Sequence, residues 1–541
     1  MTKSRKKVKT ILALVISVVM VVAIGEGIFG VQLFAKADSE NPTAVTEVDS
    51  GPSEAGELGK PEKEASILMN LWDFNVWSLL VHLTILLGGM LLANVLRRSI
   101  KPLRQSLIPN AVLGGFIVLF IDFLLKKTLN IHIFGANTNT LEILTYHGLG
   151  LGVVAITLKD DDGDEEEKKR ERSTIFNYGI MVVSTYLLQG IIGLFITIGL
   201  YYILSSIVFP AAGLILPMGW GQGPGQAYTW GHNYEVTWGF ERGTSFGLTV
   251  AAMGFIAASI GGIFYLSQMK KKGLVKVCEN SEEVEDLSAE QVTKKGEIPL
   301  SESMDKLTVQ VALVAVAYSM AYLLMMGFNL IIDSGVLGDF GVNTLQPLVW
   351  GFNFLFATFT ALLLKMILRK LKKANIIKRE YKNDFLQNRF SGFMFDIMVV
   401  ASIAAIDLSA FQERSFIIPL IVMFIIGIIF TYWYCDFVCK RVFPTLRHES
   451  FLALYGILSA TNSMGFILLR EVDPNFKTPV ARYVIYQVVY ASLFGFPLML
   501  LMGYAPHGVT ASIITVAILV AFFAAMNILL FRKQIFKKKN T

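Results

Sequence analysis

Residues 210–234 read PAAGLILPMGWGQGPGQAYTWGHNY, a stretch set between two strongly apolar runs and too interrupted to form one continuous helix. Glycines Gly219, Gly221, Gly223, Gly225 and Gly231 and prolines Pro210, Pro217 and Pro224 alternate there with Trp220, Gln222, Gln226, Tyr228 and His232. In hydrocarbon an unpaired backbone N–H or C=O is so costly that non-helical backbone persists only where protein buries it or where it borders a watery cavity. The stretch is therefore expected to be a binding element. A second interruption, LALYGILSATNSMGFILLREVDP from Leu452 to Pro474, lies in the other half of the chain. Two breaks in corresponding positions are the pattern of a transporter assembled from repeats.

The composition agrees with a membrane setting. Of 541 residues 54% are hydrophobic and only 17% charged, against about 25% charged in an average soluble domain. Apolar runs suited to spanning helices extend from Val76 to Leu96, Ile108 to Leu125, Leu141 to Leu158, Ile175 to Val208 and Thr244 to Met269. A second series covers Leu307 to Ile331, Thr344 to Leu368, Phe390 to Leu408, Phe416 to Val438 and Ala481 to Leu501, with Val509 to Phe531 beyond it. The net charge of +6 is not the mark of a nucleic-acid binder, because most of the 48 Lys and Arg residues fall in short segments beside these runs. One topology places all of those segments, and the basic tail after Arg532, on the cytoplasmic side, as the positive-inside rule asks. The cysteines, Cys278, Cys435 and Cys439, read as buried small hydrophobes and imply no disulfide or metal site.

In that topology residues 71–272 and 307–505 carry the same series of elements in opposite orientation. The expected fold is an all-α polytopic membrane protein of two inverted-topology repeats of five helices, each with a broken re-entrant hairpin. Residues 506–541 add a helix and a basic cytoplasmic tail, and 273–306 form a cytoplasmic linker. Residues 1–37, with a basic head, an apolar core and an Ala-Lys-Ala end, read equally as a secretory signal or an N-terminal spanning helix. Both options send 38–70 outward as a solvated, disordered linker.

The breaks also suggest chemistry. A half-helix starting near Gly225 to Ala227 would turn its N-terminal N–H groups toward an anion, with backbone from Gly223 to Ala227 binding the substrate, and Gln222 and Gln226 offer amides that donate and accept. The plain alternative is a Gly-rich turn inside a packed interior, against which polar and aromatic residues at membrane depth argue. In the second break Ser459, Thr461 and Asn462 supply neutral oxygens suited to Na⁺, although small residues there also serve helix packing. Arg470 reads either as the partner of a substrate carboxylate or as part of an ion pair with Glu471 or Asp473. Other polar residues within spans are Gln189, Asn353, Lys365, Asp396 and Asp407. Asp396 is a proton or Na⁺ ligand or an interfacial group, and His232 is the one histidine in either break.

The blocks Gly221-Gln222-Gly223-Pro224-Gly225-Gln226-Ala227 and Leu468-Leu469-Arg470-Glu471-Val472-Asp473-Pro474, with Gly247-Leu248-Thr249, Gly261-Gly262 and Phe476-Lys477-Thr478-Pro479, resemble the bacterial sodium/glutamate symporter family and the symporter-like proteins adjacent to it. The resemblance covers roughly Val76 to Leu501 by order of elements. It implies a scaffold part and a moving part, a homodimer in the plasma membrane among lipid, and Na⁺-coupled carriage of glutamate with no other cofactor. The chain departs from that family where Gly223-Pro224-Gly225-Gln226 replaces a Gly-Gly-His-Gly-Thr-type sequence, and where Ser459 to Ser463 replaces a Gly/Thr-rich turn. An enzyme is not expected, since no nucleophile–base pair or His-Glu-x-x-His motif is present. A membrane sensor or assembly partner that has kept a transporter fold is the rival reading.

Overall fold

The computed structural model describes residues 74–131, 133–134, 139–159, 165–204, 207–274, 305–336, 338, 341–377, 379, 381–473 and 478–537. The segments 1–37 and 38–70, Cys278 with most of the 273–306 linker, and Pro474, Phe476 and Lys477 lie outside the described residues.

The described residues form helices and no strand. The first half contains α1 (Phe74–Ser99), α2 (Asn110–Leu129), α3 (Asn139–Leu158) and α4 (Glu165–Ile203). The first break follows as α5 (Ile215–Gly221) and α6 (Pro224–Trp238), and α7 (Gly243–Lys271) completes the half. The second half runs through α8 (Lys306–Asp333), α9 (Asn353–Lys373), α10 (Asp384–Ala404) and α11 (Arg414–Val442). Then come the second break, α12 (Arg447–Ser459) and α13 (Asn462–Arg470), and finally α14 (Val480–Tyr504) and α15 (Val509–Lys537).

Several helix ends follow from their sequences. Asp305 caps α8 by accepting from the N–H groups of Leu307 and Thr308, and Asn383 caps α10 by accepting from Leu386 N–H at 2.8 Å. Basic residues occupy the last turns of α1, α2, α7, α9 and α11, where they complement the helix dipole. The run expected as one span from Thr344 to Leu368 is divided: a short helix, Gln346–Gly351, precedes α9, and Phe352 between them leaves helical geometry at ψ +23°. The charged segment between the apolar runs that end at Leu158 and begin at Ile175 is in part the first turns of α4, which begins at Glu165.

Eight of the described helices are long and apolar enough to cross a membrane. Large apolar side chains such as Leu91, Phe195, Leu323 and Val489 stand exposed on them, which is the surface a hydrocarbon solvent requires. The protein is an all-α, multi-pass membrane protein.

The helices pack in two groups. In one, α1 lies on α2 and α8 on α9, while α3 runs along α10 and also meets α9, and α2 meets α10. Small residues make these contacts close: Ala317, Ala321, Ala357 and Ala361 are buried where α8 meets α9, and Thr360 Oγ1 donates to the Ala317 carbonyl at 2.8 Å. In the other group α4 packs on α14, α11 and α15, and α7 packs on α11. Both breaks belong to this second group, α5 and α6 against α7, and α12 against α11, α7 and α14.

The first break is held by contact of bare backbone. A Cβ on Gly193 of α4 would overlap the Gly213 carbonyl in the turn leading into α5, and one on Gly213 would overlap Gly193 in return. Gly193→Ala is therefore expected to lower the thermal unfolding midpoint of the purified protein strongly, overpacking of this kind costing about 1–3 kcal/mol or more. Gly199→Ala on the same helix, where a Cβ meets nothing within 4 Å, serves as the control and should leave the midpoint unchanged or slightly raised. Equal effects at both positions would mean that the contact carries no weight.

Candidate functional site

The sequence of the first break dictates its geometry. Pro224 has no N–H to give and forces the residue before it out of helical geometry, so α5 stops and α6 begins with proline in its first turn. Gly223 between them adopts φ +88°, ψ −176°, a conformation essentially reserved for glycine. The carbonyl of Gly221, released from the helix ladder, accepts from the Tyr186 hydroxyl at 2.8 Å.

The second break is built from different residues to the same end. Between α12 and α13 Ala460 leaves helical geometry at φ −149°, ψ −83°, and Thr461 is extended and caps α13, its Oγ1 accepting from Met464 N–H. The Leu458 carbonyl beside the break accepts from Gln189 Nε2 at 2.8 Å, and the same nitrogen reaches Thr431 Oγ1 at 3.1 Å. Tyr186 and Gln189, both on α4, thus each satisfy one carbonyl at the edge of a break. Removing the first of these bonds by Tyr186→Phe should lower the thermal midpoint by a few degrees, since an orphaned buried carbonyl costs about 1–3 kcal/mol. An unchanged midpoint would show that another donor replaces the tyrosine.

The breaks touch. A Cβ placed on Gly223 would lie 2.9 Å from Thr461 Cγ2 and 3.4 Å from the Ala460 carbonyl oxygen. Beside this contact lies a cavity of about 240 Å³, on the scale of pockets that hold one small molecule. Gln222 and Gln226 line it from the first break, and Thr461, Asn462 and Ser463 from the second. Asp396 of α10 opens into it from the other helix group, and Gln487 and Ser492 of α14 complete its polar wall.

Two buried amides there are unsatisfied. Gln226 is 2% exposed, and neither its Oε1 nor its Nε2 has a hydrogen-bond partner among the described residues. Gln487, also 2% exposed, has no partner for Oε1 among the described residues. A buried polar atom left unpaired costs about 1–3 kcal/mol, and groups left so in a native fold call for a functional explanation. α6 and α13 also start at the cavity, so the partial positive charge of two helix N-termini adjoins it.

No protein-family model matches the chain, and comparison with curated proteins finds no significant similarity. What the site can do is therefore argued from its own atoms. Its equipment is a set of amide and hydroxyl groups, two helix N-termini and one carboxylate, gathered where two interrupted helices meet.

The other residues expected at the site divide. Gly223 is the contact point of the breaks, whereas Gly225 packs on Leu149 and Met398, and Ala227 is fully buried with its carbonyl against Gly247. Ser459 is buried at the end of α12 with its carbonyl toward Gly254, and does not line the cavity. Arg470 is exposed at the far end of α13, about 12 Å along the helix from Asn462 at 1.5 Å per residue, and is not a lining residue. His232 sits toward the other end of α6, stacked on Tyr228 at 5.5 Å, with Nδ1 3.4 Å from Thr244 Oγ1 and 3.9 Å from Glu142 Oε2. Of the remaining polar residues in spans, Asn353 donates to the Tyr146 carbonyl, Lys365 to the Thr157 and Lys159 carbonyls, and Asp407 pairs with Arg242. Gln487, Ser492 and Tyr186 are site residues that the patterning did not single out, although a glutamine within the apolar run from Ala481 to Leu501 is a readable signal.

Proposed function

We propose that the protein is a secondary active transporter of the plasma membrane, in which an amino acid or carboxylate binds together with Na⁺ in the cavity between the two breaks. The observation that carries this reading is Gln226: a fully buried amide with both polar atoms unpaired, set beside two helix N-termini in a cavity at the meeting of two interrupted helices. Such a group costs stability in the unliganded protein and is compensated when a solute supplies partners.

The packing supports two inverted repeats. If α1–α4, the first break and α7 correspond in order to α8–α11, the second break and α14, then α1 on α2 matches α8 on α9. On the same correspondence α2 on α10 matches α9 on α3, and α4 on α14 matches α11 on α7. With the basic ends of α1, α7, α9 and α11 on the cytoplasmic side, as the positive-inside rule asks, the two repeats are oppositely oriented and α15 ends in the cytoplasm. This is also the arrangement implied by the resemblance to the sodium/glutamate symporters.

The division into two helix groups offers a means of transport. The group that holds both breaks carries most of the cavity wall, and Asp396 faces it from the other. Movement of one group against the other would present the cavity to either side in turn, as in other carriers built on a site at a repeat interface. Thr461 and Asn462 are the Na⁺ ligands best placed to act beside a bound solute, because both line the cavity.

Coupling makes a measurable demand. If Na⁺ and solute favour the same state, each must raise the other's affinity by the same factor, typically about 5- to 150-fold. Calorimetric titration of the purified protein with amino acids and carboxylates should give a Kd that falls by such a factor when choline is replaced by Na⁺. Equal Kd values in the two salts would contradict coupled transport.

A further inference from the structure

A carrier must close its cavity on one side while it is open on the other, and α6 and α3 meet where such a closure is needed. Gly225, Tyr228 and His232 follow at i, i+3 and i+7 and so share a face of α6. On α3, Glu142 and Leu149 are seven residues apart and likewise share a face. The two faces touch. A Cβ on Gly225 would lie 2.8 Å from Leu149 Cβ, at the level of the cavity, which Leu149 lines. One turn further along α6 the Tyr228 hydroxyl donates to Glu142 Oε2 at 3.2 Å. His232 stacks on the Tyr228 ring at 5.5 Å, and its Nδ1 stands 3.9 Å from the same carboxylate oxygen.

This contact joins the two helix groups, since α6 belongs with the breaks and α3 with α10. It also marks a boundary of access. Every residue of α6 from Pro224 to Gly231 is buried, and exposure begins at His232. At the second break, by contrast, Asn462 and Ser463 line the cavity and are exposed. In the orientation proposed above α6 runs outward from Gln226 and α13 runs toward the cytoplasm, so the cavity is shut on the outer side and accessible from the inner one. Arg242, which pairs with Asp407 and donates to Ser409 Oγ at 2.7 Å, makes another tie on the outer side. It sits at the chain connection between α10 and α11, where the groups stay covalently joined in any state, so it need not part.

We infer, on the transporter reading, that Tyr228, His232 and Glu142 form the outer gate of the cavity, closed in this structure and parted when solute enters from outside. The Tyr228–Glu142 bond holds α6 to α3, and His232 backs the tyrosine ring. Water can replace a polar contact of this kind when the helices separate, so the bond biases the gate without locking it. A hydrogen bond to an ionised group at a partly exposed site shifts such an equilibrium by about three- to tenfold.

The test is labelling of Ser463→Cys by a membrane-impermeant maleimide in a Cys278→Ser background, Cys435 and Cys439 being buried. Rates are read in inside-out and in right-side-out membrane vesicles, without solute. The cysteine should react faster from the cytoplasmic face. Tyr228→Phe and Glu142→Gln should each raise the rate from the outer face at least threefold. Tyr318→Phe removes a hydroxyl 2.9 Å from His147 Nδ1, between α8 and α3 of one helix group, and should leave the outer rate unchanged. A thermal midpoint shared with the parent protein identifies each variant as folded, and where one gate variant is not, the other decides. No labelling from either face, faster labelling from outside in the parent protein, an outer rate that neither gate variant changes, or an equal rise in Tyr318→Phe overturns the gate. Solute accumulation by a protein whose outer labelling ignores both gate variants would keep transport and discard the gate. Labelling that follows the variants in a protein that accumulates no amino acid or carboxylate would keep the gate and discard transport.

Discussion

Gln226→Leu is expected to raise the thermal midpoint of the unliganded protein while weakening solute binding at least tenfold. Gln226 is 2% exposed with both amide atoms unpaired, so each atom stands at a desolvation cost of about 1–3 kcal/mol that no internal bond returns. Leucine fills a similar volume without that cost, and the midpoint should rise by several degrees. The amide is then missing when the solute arrives, and hydrogen bonds to charged groups contribute about 1.5–3 kcal/mol each, at least tenfold in Kd. Opposite signs for stability and affinity are the signature of a residue retained for function. Thermal unfolding and titration on the same preparation read both quantities. A lower midpoint with unchanged affinity would make Gln226 a structural residue and remove the main support for the site.

The second large effect is at Gly223. Its φ of +88° with ψ −176° is a region that residues with a Cβ occupy only at a cost of order 1–3 kcal/mol, and the added atom would press on Thr461 Cγ2 at 2.9 Å. Gly223→Ala therefore strains the first break and pushes the second away from it. Solute uptake per molecule of protein in the membrane should fall tenfold or more. Gly239, at the other end of α6, also has positive φ, +68°, but a Cβ there meets nothing within 4 Å. Gly239→Ala should keep most of the uptake. Similar losses at both positions would assign the effect to general destabilisation instead of the contact between the breaks.

Much of the cavity lining is legible in the sequence, because glycine and proline at membrane depth leave few options for the backbone. The two interruptions, with Gln222 and Gln226 in one and Thr461 and Asn462 in the other, are visible on that ground, and Asp396 is visible because carboxylates within spans are costly. What sequence spacing does not convey is which turn of a half-helix faces its neighbour. Arg470 stands at the end of α13 that is away from the cavity, and His232 is six residues beyond Gln226 on α6, roughly 9 Å of helix. Ser459 is one residue too early: it still belongs to α12 and its carbonyl turns toward Gly254. Tyr186 and Gln487 reach the cavity because α4 and α14 pack beside the breaks, a long-range relation that periodicity in either helix cannot encode. The division of the run from Thr344 to Leu368 into two helices is local, and the turn-prone residues Pro347 and Gly351 mark it in the sequence.

The central claim is that a solute moves through the cavity between the breaks under a Na⁺ gradient. Its most direct measurement is uptake of labelled L-phenylalanine and L-glutamate into proteoliposomes, with an inward Na⁺ gradient, with an H⁺ gradient alone and with none. The account predicts accumulation of at least one of the two under the Na⁺ gradient only, and its loss in Gln226→Ala. Absence of accumulation of either solute under the Na⁺ gradient, or accumulation that Gln226→Ala leaves intact, would contradict it.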